Sequence, residues 1–231
     1  MSLEIELTKK RHTFRWIFFV LVIAILISSG VIAYRWYEYG DVLPFSVPLL
    51  VTADTSVDES HVSSLQVSQY TVPALNPRFI AIPSLHISDT RIYPVSITRN
   101  DGLLSYASNI HDVGWYQKSN TPGNGGVIVL DGRSKGLTQS GPFVGVATLK
   151  NGDQIMIKRG DGALFTYDVI DTQTLMTSTL YTTGLSLMSK AAQDGAESLN
   201  IVADAGKWIP KLNMFDHRVL IRSSLIISAT K

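Results

Sequence analysis

The chain has 231 residues, a net charge of +1 from 20 Lys and Arg against 19 Asp and Glu, and no cysteine. Its near-neutral balance gives no global field pointing to nucleic acid as a partner. The missing cysteine excludes disulfides, thiol catalysis and cysteine-ligated metal, while the length allows one domain with a proper core plus flanking segments.

Lys9, Lys10, Arg11 and Arg15 precede an uninterrupted apolar run from Trp16 to Tyr34, which Arg35 closes. As a helix the run covers roughly 28 Å, enough for the hydrocarbon core of a bilayer. It lacks the polar face expected of a helix packed on a globular domain. A cleaved signal peptide ending at Val31-Ile32-Ala33 is the rival reading, but the apolar stretch is longer than such a peptide needs. Residues 1–15 are therefore expected to be a cytoplasmic tail and 16–35 a transmembrane signal anchor. The excess of basic residues before the run places the rest of the chain outside the cell membrane.

From 36 to 77 the sequence turns to Ser, Thr, Val, Pro and a few acids without sustained periodicity, as expected for an extracellular stalk. Residues 78–231 read as the folded domain. Arg78 to Pro83, Arg91 to Ile97 and Gly126 to Leu130 are β-branched and bounded by turn formers. Gln154 to Arg159 and Ala163 to Val169 flank Gly160-Asp161-Gly162 and form the clearest hairpin. Ser198 to Ala203 and Arg218 to Ser228 are further strands, the last expected at an edge or closing a barrel. Helical signal is confined to a short piece near Asn109 and to Gly184 to Gln193. The pattern predicts an all-β fold, a small barrel or sandwich with a few short helices.

The segment NIHDVGWYQKSNTPGNGGVIVLDGR, Asn109 to Arg133, resembles the centre of a class D, E or F sortase: a short helix, "VGWY", then a "PGxxG" turn into a buried strand. In that family the strand ends in "DGH"; here it ends in Asp131-Gly132-Arg133. Gly141 to Ile155 is similar to the "GvFaxLxxLkxGDxI" connection, Leu199 to Gly206 to "LxLiTCaG", and Phe215 to Ser223 to "yxxRlvvxA". The resemblance implies a closed sortase-like β-barrel. It also implies a cysteine transpeptidase chemistry in which a thiolate attacks a sorting-motif amide, a histidine protonates the leaving amine and an arginine stabilises the oxyanion.

Carried over by position, the cysteine maps to Asp204, the histidine to Arg133 and the arginine to Arg218. Arg133 stays protonated and cannot shuttle a proton, and an anhydride formed at Asp204 from an amide is a poor intermediate. The chain is thus expected to be a pseudo-sortase with no intact catalytic set. Asp204 and Arg133 are expected to form an ion pair replacing the thiolate–imidazolium pair, with Asp131 or Arg218 as further members.

Other residues receive structural readings. Trp115 and Tyr116 are expected in the core, and His111 beside Asp112 at a surface or helix terminus. His217 is expected to face away from Arg218. No cofactor is expected, and two carboxylates beside two arginines argue against a metal. Three functions follow: a binder of sorting-motif peptide or surface protein in the former groove, with Thr177 to Ser189 adding contacts; a structural spacer or assembly subunit; or a hydrolase using Asp204 and Asp131. The first requires an open groove at positions 133, 204 and 218, the second a filled one, and the third two carboxylates facing a cleft.

Overall fold

The computed structural model describes residues 2–41, 43, 57–97 and 104–230, and the chain divides into an N-terminal unit and a barrel unit. In the first, one helix, α1 (Ser2–Tyr39), contains a segment, Phe14–Tyr39, long and apolar enough to cross a membrane. The aromatic and aliphatic side chains from Phe14 to Ile27 are mostly solvent-exposed, as a lipid-facing surface would be.

The barrel unit closes eight strands in the order β1-β2-β3-β4-β7-β8-β6-β5. They are β1 (Pro77–Ile82), β2 (Ile87–Val95), β3 (Val113–Tyr116), β4 (Val127–Gly132), β5 (Gln154–Arg159), β6 (Leu164–Met176), β7 (Ser198–Ile209) and β8 (Met214–Thr230). β2 pairs with β3 and β4 with β7 in parallel; the β1–β2, β1–β5, β3–β4, β5–β6 and β6–β8 pairs are antiparallel. Closure gives β8 neighbours on both sides, so of the two places expected for it, an edge or the closing of a barrel, it takes the second.

Successive side chains on a strand point to opposite faces, and β4, β7 and β8 are buried on both. Ile128 and Leu130 of β4, Leu199 and Ile201 of β7, and Val219 and Ile221 of β8 fill the barrel interior. The alternate residues Val129, Val202 and Leu220 join Leu104, Tyr116, Leu180 and Met188 in a second cluster outside it. Each fully buried aliphatic side chain of this kind contributes about 1.5–3 kcal/mol. Trp115 belongs to the interior and Tyr116 to the outer cluster, so the VGWY motif supplies both cores.

Helix α3 (Thr177–Met188) covers the outer cluster, beginning earlier than the predicted Gly184 to Gln193. Asn200 explains where it stops: its side-chain amide donates to the Met188 and Lys190 carbonyls at 2.7 and 2.8 Å, taking up C-terminal acceptors that further helix would have used. The helix expected near Asn109 does not form. Asn109 Oδ1 instead accepts the His111 N–H at 2.9 Å, a local turn bond that competes with helical pairing.

The stalk boundary also shifts. Residues 57–77 are part of the barrel unit and carry α2 (Ser64–Gln69), opened by a Ser63/Gln66 capping box. Asp58 bridges to Asn109, and Tyr70 stacks against Tyr93 with ring centroids 4.8 Å apart while its hydroxyl donates to the Ile92 carbonyl. Glu59 accepts from the backbone N–H groups of Leu137, Thr138 and Gln139 and from the Thr138 hydroxyl, clasping the loop that follows β4.

Candidate functional site

Asp131, Asp204 and Arg218 lie on the outward face of β4, β7 and β8, in line with Val129, Val202 and Leu220. The parallel register pairs Asp131 with Val202, so Asp204, two residues on, falls diagonally beside Asp131 on the same face. Asp131, Asp204 and Arg218 are 2, 4 and 4 % exposed, a burial that charged groups tolerate only when paired. Gly132 is required between Asp131 and Arg133 because a Cβ there would meet the Phe143 ring at 2.5 Å.

One guanidinium nitrogen serves both acids. Arg218 Nη1 lies 3.2 Å from Asp204 Oδ1 and 3.7 Å from Asp131 Oδ1. The longer separation is beyond hydrogen-bond reach, and Asp131 Oδ1 is buried without a hydrogen bond. Burial pushes the Asp131 carboxyl up to about 8; the Asp204 charge adds to this while Arg218 and Arg133 oppose it. Burial works against the charge of Arg218, but Tyr106, Asp204 and Asp131 outweigh it and hold the guanidinium above its ordinary value.

Tyr106, in the connection between β2 and β3, completes the cluster and was not singled out from the sequence. Its hydroxyl donates to Asp204 Oδ1 at 2.6 Å. The Arg133 guanidinium sits 4.0 Å from the centre of its ring and that of Arg218 5.1 Å. Burial, with the neighbouring carboxylates, raises the phenol well above its ordinary value against the pull of Arg218, so the hydroxyl remains a donor. The only sequence signal for it was proximity to the Asn109–Arg133 motif.

This geometry corrects the expected Arg133–Asp204 ion pair. Asp204 pairs with Arg218, and Arg133 is linked to Asp204 through the Tyr106 ring and hydroxyl. The Tyr106 hydroxyl contacts Asp204 at the position where the peptide-binding reading requires open space, and Asp131 and Asp204 are both buried beside Arg218. His217 pairs with Asp216 at 2.8 Å and is about a third exposed, unlike the buried Arg218 next to it. Asp112 is not at the surface: it holds Arg91 bidentately, with both contacts at 2.8 Å. Among the described residues no group of three or more His, Cys, Asp or Glu is placed to hold a metal ion.

A model of the sortase domain matches residues 80–203, more than half of the chain. The chain belongs to the sortase family.

Solved sortases with similar folds include sortase C1 of the Group B Streptococcus pilus island 1, at 18% identity and a TM-score of 0.48. That match covers 66% of this chain and 64% of the other, so the chain spans less than two thirds of it. Sortase C-1 from Actinomyces oris is 20% identical over 68% of this chain and 76% of the other, with a TM-score of 0.49. Streptococcus pneumoniae sortase C is 14% identical over 90% and 91%, also with a TM-score of 0.49. No curated protein matches. The match of the family model to residues 80–203 includes Asp131 and Arg133 and ends immediately before Asp204.

Proposed function

We propose that this sortase-family chain is a membrane-anchored, extracytoplasmic pseudoenzyme whose barrel serves as a spacer or assembly subunit of the cell envelope. The observation that carries the reading is the Asp204 carboxylate. It stands where the motif resemblance puts the family's nucleophile, and it is buried, paired with Arg218 and hydrogen-bonded to Tyr106. A carboxylate so engaged has little capacity to attack an amide, because one of its oxygens already accepts from Tyr106 and faces the Arg218 guanidinium. The same contacts weigh against peptide capture in the former groove and against a two-carboxylate hydrolase, which needs both acids facing substrate. The basic residues before the apolar helix favour an internal N-terminus and an external barrel.

The test is retention of sorting-motif peptides by the full chain in lipid nanodiscs. It is run beside Asp204→Cys/Arg133→His and the same pair with Tyr106→Ala. The wild-type chain is expected to retain and cleave nothing. The double variant should form no thioester, and the triple variant should begin to form one because the tyrosine has been removed. Peptide retention or cleavage by the wild-type chain overturns the proposal.

A further inference from the structure

A cavity of about 340 Å³ opens on the barrel flank, lined by His61, Val62 and Val67 from the segment before β1, by Ser88 to Arg91 of β2, and by His111 and Asp112. It shares no residue with the Asp204 cluster. Its volume falls at the lower end of the roughly 300–1,000 Å³ typical of small-molecule sites.

The floor is built from the Arg91–Asp112 pair, 8 and 6 % exposed, in which Asp112 takes Arg91 Nε and Nη2. Nη1 makes no hydrogen bond among the described residues, nor do the side chains of His61, Ser88, Asp89, Thr90 and His111. His61, Ser88 and Asp89 are exposed and Thr90 and His111 partly so, which leaves their hydrogen-bonding groups to water and open to exchange with a ligand seated over the Arg91–Asp112 floor.

Their chemistry narrows the ligand. Arg91 and Asp112 cancel, leaving Asp89 as the one uncompensated formal charge in the lining with the histidines neutral. Arg91 Nη1, the two imidazoles and the two hydroxyls offer about six donors, and the imidazoles, hydroxyls and Asp89 offer a comparable set of acceptors. A small anion would meet Asp89 and leave the acceptors idle. A small cation would leave the donors unmet. Hydroxyl groups, which donate and accept at the same atom, use both sets, and Val62 and Val67 supply an apolar wall for a C–H face. We infer that this cavity binds a neutral, hydroxyl-rich ligand of about one sugar ring, with Asp89 and Arg91 Nη1 as its principal polar contacts.

The inference is tested on the full chain in phosphatidylcholine nanodiscs carrying labelled imidazoles, with His61→Gln used to assign the two signals. Glucose, N-acetylglucosamine and ribitol are titrated beside butylamine and acetate. At least one polyol is expected to shift the His61 and His111 signals saturably. Asp89→Ala, at an exposed position and checked for an unchanged melting curve, should weaken that polyol about tenfold, the equivalent of one lost charged hydrogen bond. The inference is overturned if no polyol shifts the signals, if butylamine or acetate alone does so, or if Asp89→Ala binds as tightly as the parent.

Discussion

Tyr106 and Asp204, 98 residues apart in the chain, are joined by a 2.6 Å hydrogen bond within the buried cluster of Asp131, Asp204 and Arg218. The bond occupies an Asp204 oxygen and holds the ring beneath the Arg133 guanidinium. It is also a stability element, because a buried carboxylate needs every donor it can find.

Tyr106→Phe removes that donor and keeps the ring under both arginines. The variant should lose about 1–3 kcal/mol, the cost of leaving a buried acceptor short of a partner. Tyr106→Leu should lose more, since the cation–π contacts go as well. Urea denaturation of the two variants beside the parent checks the order.

Asp131 sets a pH dependence of unusual sign for an acid. Its folded-state value, about 8, lies above its ordinary value of 3.8, so between these the folded chain binds the extra proton. The contribution to stability is fully present below about 3.8 and is lost as pH rises through 8. Asp131→Asn should remove this slope and be more stable than the parent above pH 8, as measured by denaturant midpoints from pH 4 to 9.

Arg218 is the cation beside Asp204 and, as pH rises through about 8, beside an ionised Asp131 as well. Arg218→Met should therefore cost about 3–5 kcal/mol, since an uncompensated charge remains behind. Adding Asp204→Asn and Asp131→Asn to it should recover most of the loss, a non-additivity that a double-mutant analysis of melting curves would read directly.

The Glu59 clasp is exposed and should matter locally. Glu59→Gln is expected to change global stability by less than about 1 kcal/mol. Amide exchange at Leu137, Thr138 and Gln139 should nevertheless rise clearly. The Thr138 hydroxyl, with the loop amides, holds the Glu59 carboxyl below its ordinary 4.5 against the opposing effect of burial, so its contribution is present above that value. It fades as pH falls through the depressed value, and exchange in the parent should approach that of the variant there.

The barrel was legible where local pattern dominates. The Gln154–Arg159 hairpin arm, the strand into Asp131-Gly132 and the strand approaching Asp204 each follow from β-branched runs between turn residues. β3 carried a motif but is too short to show an alternation of its own. The helix at Thr177 was placed late because its end is fixed by Asn200, a tertiary contact with no trace in the helix's own sequence. Motif resemblance singled out Arg133, Asp204 and Arg218, but not how they pair. Whether Arg133 or Arg218 meets Asp204 depends on which strand face each occupies and on Tyr106, whose phenol comes from a segment without a distinctive pattern.

The parallel pairing of β4 with β7 brings Asp131 next to Asp204 across all of β5, β6 and α3. Loop closure over such a span is entropically unfavourable until the intervening hairpin and helix have formed, so the two acids should meet late in folding. The buried charge cluster would then be assembled on a barrel already nearly complete. Substitutions in it should chiefly accelerate unfolding and leave the refolding rate almost unchanged.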